Sequence, residues 1–278
     1  MMKEILVCLE GSASGEAALQ VSIAMAGELG ARLAGMAIVD EPDIRAGSAA
    51  GIGATAYKHD RDEALMATAR KQAADWVALF ESRCRAAGVD ARALEVVGRP
   101  GASIVSAMAA HDLTVVGRDA NFRFATEEED AATRDHILKR GDKPVLLVPE
   151  GTQALGTKVL VAFDGSGAVR RAAASFAASG LAAGRQVHVA TIDDDGARAW
   201  EMATSGVEIF RSAGLTATAH NVVSALSNAE ALFELAGQLG AGMIVMGAFA
   251  HSRLAHLFRQ SAMRALIERT TVPLYLQN

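Results

Sequence analysis

Hydrophobic positions along the chain fall into short, nearly continuous runs separated by longer stretches with helical periodicity. The runs ILVCL at 5–9, KVLVAF at 158–163 and MIVMG at 243–247 lack the polar alternation of a half-buried strand. Unbroken apolar runs of this length are expected of strands covered on both faces. In the first half the pattern predicts strands near 4–9, 33–39, 92–97, 113–117 and 144–148, and helices near 14–29, 60–87, 101–110 and 127–139. The second half repeats this with strands near 158–163, 186–192, 216–222, 243–247 and 272–276, and helices near 169–181, 198–213, 228–239 and 257–269. Strands alternating with helices of this length predict an α/β protein with parallel sheets and helices on both faces.

The chain repeats itself. EILVCLEGSASGEAALQVSIAMAGELGARLAGMAIVDE from Glu4 matches KVLVAFDGSGAVRRAAASFAASGLAAGRQVHVATIDDD from Lys158 in the order of its elements. Glu10-Gly11-Ser12 aligns with Asp164-Gly165-Ser166, while Gly117 and Pro144 pair with Gly247 and Pro273 at a shorter offset. The difference matches the first half's additional residues after Val39, where EPDIRAGSAAGIGATAYKHDRDEALM shows no periodicity until about Arg61 and reads as a surface excursion. Repetition on this scale predicts two domains of one kind, residues 1–150 and 157–278, joined by the short linker PEGTQALG. Each half ends in an apolar run with a proline near its start, which would be an exposed edge unless the two runs pair.

Composition narrows the function classes. Hydrophobic residues make up 51 % of the 278 positions and charged residues 21 %, as in a soluble protein with sizeable cores. The net charge of -5, without a basic block, gives non-specific nucleic-acid binding little support. Cys8 and Cys84 supply neither a disulfide framework nor a zinc cluster. The N-terminal apolar run is too short for a signal-peptide core and no stretch reaches bilayer length, so no membrane association and a cytoplasmic location are expected.

The chemistry is sparse. There is no GxxxxGK[ST], no GxGxxG opening a strand-turn-helix unit, no HExxH and no GxSxG. Of the 7 histidines only His251 and His256 lie close in sequence, and the Asp193-Asp194-Asp195 run reads as a solvated strand end. No catalytic residue and no metal site are nominated. Two recurrent features stand at the carboxyl ends of strands, where open α/β sheets bind ligands. Asp164-Gly165-Ser166 could receive a ribose hydroxyl or a hydrated cation, or only satisfy its turn and cap the next helix. The stretch MIVMGAFAHSRLAHLFRQSAMRAL combines Gly247 and small residues with His251, Ser252, Arg253, Arg259, Gln260, Ser261 and Arg264 before or within a helix, a donor set suited to phosphate. A loop that merely turns the chain is the alternative.

Taken together, LVCLEGS and LVAFDGS, VVGR and IVMGA, KPVLLVPE and TVPLYLQ, and above all MGAFAHSRLAHLFRQSAMRAL resemble the universal stress protein family in its tandem two-domain form. The resemblance covers essentially the whole chain. It implies two flavodoxin-like or Rossmann-like domains, each a five-stranded parallel sheet of order 3-2-1-4-5, with fifth strands pairing about a two-fold axis. It also implies ATP or another adenine nucleotide, with or without magnesium, bound through a strand-1 aspartate and a G-x2-G-x9-G-[S/T] loop. In the second half Asp164 matches the aspartate, Gly247 the first glycine and Ser261 the final hydroxyl. Ala250 and Gln260 replace the other two glycines. The same pattern implies that Ile192 and Val222 flank adenine and that Gly165, Ser166, His251, Ser252 and Arg253 complete the site.

The first half departs further. Glu10 stands for the aspartate, Gly117 is kept, and Ala120, Asp130 and Ala131 occupy the remaining motif positions. Thr126 with Glu129 fits a capping box, and Glu127 and Glu128 would lie in the first helical turn, where they repel phosphate. The expectation is a stress-response protein with a degenerate adenine-nucleotide site in the second domain and no nominated catalysis. The alternatives are a nucleotide-free structural or interaction protein that uses the fold to bind a protein partner, and a small-molecule carrier lined by Phe233, Phe249 and Phe258. Assembly of two tandem chains into a homo-oligomer is left open.

Overall fold

A computed structural model describes residues 1–46, 55–120, 122, 131–224, 226–248 and 260–278. In chain order its first half comprises β1 (Glu4–Leu9), α1 (Ala13–Leu29), β2 (Arg32–Val39), α2 (Glu41–Ala46), α3 (Thr55–Ala86), β3 (Ala91–Val97), α4 (Pro100–Met108), β4 (Leu113–Gly117), α5 (Ala131–Arg140) and β5 (Val145–Val148). The second comprises β6 (Lys158–Ala162), α6 (Gly167–Ser179), β7 (Gln186–Ile192), α7 (Gly196–Ser212), β8 (Ala217–Val222), α8 (Asn228–Leu239), β9 (Met243–Gly247), α9 (Gln260–Arg269) and β10 (Leu274–Gln277).

One 10-stranded sheet contains all of these strands in the order β3-β2-β1-β4-β5-β10-β9-β6-β7-β8. Within each half the pairing is parallel and follows 3-2-1-4-5, so two α/β units lie edge to edge without interleaving. They join where β10 runs antiparallel to β5, with Leu146 opposite Tyr275 and Leu147 opposite Leu274. The terminal apolar runs thereby satisfy each other's edges. Pro144 and Pro273 sit just before β5 and β10 as equivalents: each gives its carbonyl to the neighbouring strand, at 3.0 Å to Thr114 N and 2.9 Å to Ile244 N.

Two apolar layers flank the sheet, and each crosses both halves. Ile5 and Val7 face the layer that holds Met25, Phe80, Phe176, Phe210 and Tyr275, from α1, α3, α6, α7 and β10. Leu6 and Cys8 face the layer of α4, α5, α8 and α9, with Ile104, Ile137, Leu232 and Leu266. Burial on both faces is why the strand sequences show no alternation. Helix ends follow local chemistry: Ser12 and Ser166 cap α1 and α6, and Ser227 with Glu230 forms a capping box on α8.

Further contacts tie the units together. Arg185 makes a two-pronged ion pair with Glu28 at 2.8 and 2.9 Å, which lowers the Glu28 pKa chiefly through the guanidinium hydrogen bond. Met2 N donates to Ser179 O at 2.9 Å. The excursion after Val39 proves partly helical. Asp40 accepts from Asp43 N at 3.1 Å at the start of the 6-residue helix α2, and α3 begins at Thr55, earlier than periodicity predicts. Gly51 and Gly53 lie outside the described residues. Burial pushes the Cys8 thiol up strongly and the Cys84 thiol to about 11, so neither is activated.

Candidate functional site

In each unit the chain leaves the first strand toward one side of the sheet and reaches the fourth strand on its other side. The crevice between the carboxyl ends of β6 and β9, like that between β1 and β4, is therefore a topological switch point.

At the β6 tip Asp164 is half-buried, and its Oδ1 accepts from Ser166 N at 2.9 Å. Among the described residues its Oδ2 has no hydrogen-bond partner. Ser166 is buried, and its Oγ accepts from Val169 N at 3.3 Å. The turn thus satisfies itself and caps α6, while half of the carboxylate stays available. Gly165 adopts φ 70°, and a Cβ there would stand 2.5 Å from Met202 Sδ, so both backbone and space demand glycine. Arg170, absent from the sequence-based expectation, arches over this turn. Its Nε donates to Gly165 O at 3.1 Å, and its guanidinium lies 5.3 Å from the Phe163 ring centre.

Gly247 closes β9 directly against the start of α6. A Cβ on it would come within 2.7 Å of Val169 N and 2.9 Å of Ala168 Cβ. Gly117 stands in the same relation to α1, with Ser14 Oγ at 2.6 Å and Gly15 N at 2.7 Å. In both units this glycine is required by strand-helix packing, apart from any ligand. Ala248 is buried, and its N donates to Gln277 O at 2.8 Å. Ile192 and Val222 are register partners at the ends of β7 and β8, each half-buried against the second apolar layer. Gln260 opens α9 and Ser261 follows it. Ala250, His251, Ser252, Arg253, Phe249, Phe258 and Arg259 lie outside the described residues. Arg264 pairs with Glu268 at 2.9 Å, and Phe233 packs on the second layer beneath Arg269.

The first unit's crevice is arranged differently. The longer Glu10 side chain folds back, accepting from Ser12 N at 2.8 Å and from Ser12 Oγ at 2.6 Å, and is buried. Its Oε1 lies so close to Gly15 that a Cβ there would be only 2.0 Å away. The Trp76 indole covers Gly11, with Cζ2 3.2 Å from where a Cβ would stand. Arg118 is engaged by Asp119 and reaches across to Thr270 O at 2.7 Å, so it latches the two units together. The acidic stretch Thr126–Asp130 and Arg123 lie outside the described residues.

The aspartate run serves local structure. Asp193 pairs with Arg198, whose hydrogen bond lowers the Asp193 pKa, and Asp195 caps α7. Tertiary structure also brings together two histidines that are far apart in sequence: His188 Nδ1 lies 2.9 Å from His220 Nε2. Desolvation by burial lowers both pKa values, and His220 and Lys158 lower that of His188 further. Their shared face follows from the period of two on β7 and β8, but their pairing requires the strand register, which the sequence does not display. Among the described residues no group of three or more His, Cys, Asp or Glu could hold a metal, and no helix is long and apolar enough to cross a membrane.

The sequence profile of the universal stress protein family matches residues 1–149, more than half of the chain. The chain belongs to the universal stress protein family. Among curated proteins it is similar to universal stress protein Slr1230 of Synechocystis, at 25 % identity over 164 residues, which are 58 % of this chain and 56 % of that one. The chain therefore spans little more than half the length of this relative. Over its full extent, the fold of this universal stress protein is similar to a universal stress protein from Archaeoglobus fulgidus: TM-score 0.71, 17 % identity, covering 99 % of this chain and 96 % of that one. A functionally unknown Pseudomonas aeruginosa protein is similar with TM-score 0.58 and 14 % identity, covering 99 % of this chain and 92 % of that chain. At such identities these structures speak for the fold alone, and the tandem arrangement of this universal stress protein agrees with them.

Proposed function

We propose that this universal stress protein serves in the stress response by binding an adenine nucleotide, ATP or a relative of it, in the second unit only. The domains are read as 1–150 and 157–278, and the ligand lies over the carboxyl ends of β6, β7, β8 and β9. Asp164 would receive a ribose hydroxyl through the oxygen its turn leaves over, and Ile192 and Val222 would flank the adenine. Ser252, Arg253 and Ser261, with the backbone N–H groups of Phe249 and Ala250 and those at the start of α9, would face the phosphates, with Gln260 narrowing their path. His251 would border them, and Gly165 and Ser166 hold the turn. Any magnesium would arrive with the nucleotide.

One observation carries this reading: among the described residues Asp164 keeps an uncommitted oxygen in its crevice, whereas Glu10 spends both oxygens on Ser12 and is buried, with Trp76 over the adjoining Gly11. Calorimetric titration with ATP, ADP and AMP, with and without Mg2+, tests it. Asp164→Ala is expected to weaken binding by about tenfold, the loss of one charge-assisted hydrogen bond of roughly 1.5 kcal/mol. Equal affinity in the variant removes Asp164 from the site.

A second reading, a nucleotide-free protein that binds a partner, has one observation in its favour. Val223, Trp200 and Leu226 are 61 %, 52 % and 47 % exposed around the end of β8 and the start of α7. Absence of nucleotide binding by the wild type, with no gain in Gln260→Gly, would favour it.

A further inference from the structure

We infer that His188 and His220 form a binding site for a divalent transition-metal ion, Cu2+ in the first instance, at the outer edge of the second unit. The two side chains project from β7 and β8 on the same face, with Ala190 and not His188 directly opposite His220. The imidazoles therefore meet diagonally, with ring centroids 5.1 Å apart and planes inclined by 48°. Their facing nitrogens are 2.9 Å apart. Two nitrogen ligands at about 2.0–2.1 Å in adjacent positions of a square-planar or octahedral ion lie roughly 2.9 Å apart, whereas a tetrahedral ion spreads them to roughly 3.3 Å. The hydrogen-bonded spacing lies within a few tenths of an ångström of either arrangement, and Cu2+ comes first because it binds nitrogen ligands most tightly among the divalent first-row metals.

Both rings favour the neutral state, which is the state that ligates. One of the facing nitrogens carries the proton of the hydrogen bond. On metal binding that ring moves its proton to its remote nitrogen, so no proton is lost overall from the neutral pair. His188 Nε2 is buried with no partner among the described residues, leaving the pair incompletely satisfied as a purely structural contact. Both residues are half-buried, and β8 is the last strand of the sheet, so an ion reaches them from the open edge. Lys158 opposes a cation here, but its ammonium is held by Leu239 O at 2.9 Å. Water would complete the coordination, as the described residues offer two ligands.

The test is Cu2+ binding by the full chain against a competing glycine buffer, read by calorimetry and by electron paramagnetic resonance. One ion per chain is expected, with nitrogen hyperfine structure from two imidazoles and affinity falling as the rings are protonated. His188→Gln and His220→Gln should each lose at least about tenfold in affinity, since even removing an outer partner of a ligand costs that much. The surface control His59→Ala should bind as the wild type does. Unchanged affinity and spectrum in both variants overturn the assignment, as does failure of the wild type to bind. Should either variant misfold, paramagnetic broadening of wild-type amide signals decides: losses centred on β7 and β8 support the site, and losses elsewhere refute it.

Discussion

Gly247→Ala separates packing from ligand approach at the most family-like position of the candidate loop. The added methyl would lie 2.7 Å from Val169 N, 2.9 Å from Ala168 Cβ and 3.1 Å from Ala168 C. Contacts of that kind relax only if neighbours withdraw by roughly 0.5–1 Å, since carbon atoms rest at about 3.5–4.0 Å. The obstructing atoms belong to the first turn of α6, whose start is fixed by Ser166 and whose inner face holds Val169, Ala172, Ala173 and Phe176 in the core. Little can yield, so the cost should fall in the overpacking range of about 1–3 kcal/mol. For a unit of this size that is a melting-temperature drop of roughly 2–10 °C. Gly117→Ala meets Ser14 and Gly15 at 2.6–2.8 Å and should cost as much, although its unit is not expected to hold a nucleotide. Thermal and urea unfolding of the ligand-free chain check both variants. If Gly247→Ala melts with the wild type and loses only nucleotide affinity, the packing argument is wrong. A loss in Gly247→Ala without one in Gly117→Ala would refute the shared role.

Tyr275 should be the costliest single residue at the junction of the units. It is fully buried on β10, edge-on to Phe176 at 5.3 Å and hydrogen-bonded to Ser175 at 3.0 Å. Tyr275→Ala is expected to lose about 3–5 kcal/mol in urea unfolding, and Tyr275→Phe about 0.5–1.5 kcal/mol; similar losses in the two would contradict the assigned packing. Stability should also fall on acidification through the ordinary histidine value of 6.5. Both folded-state pKa values lie below it, so the unfolded chain takes up more protons there and the contribution is present above 6.5 and lost below it. A His188→Gln/His220→Gln double variant should flatten melting temperature against pH in that window; an unchanged slope would refute the coupling. The carboxylates of Glu28 and Asp193, with pKa values lowered chiefly by hydrogen bonds from Arg185 and Arg198, hold their contribution until a more acidic range.

Local rules made most of the fold legible from sequence. Apolar runs such as ILVCL and MIVMG marked double-sided strands, serines after EG and DG marked helix starts, and recurrence of both marked two units of one kind. The terminal runs with their prolines pointed to edges in need of a partner, and β5 with β10 supplied one. Helix α2 and the early start of α3 escaped because a 6-residue helix and a polar helix end carry too little periodicity to detect. The candidate site was legible only as residue types at motif positions. That Asp164 keeps a free oxygen while Glu10 folds onto its own turn depends on one methylene, and the sequence shows that difference without showing where the longer side chain goes. That Gly247 faces a helix start, and that His188 meets His220, depends on which strands are neighbours and in what register. Periodicity assigns each residue a face, but neighbours come from pairing between segments far apart in the chain, so only the tertiary structure could decide them.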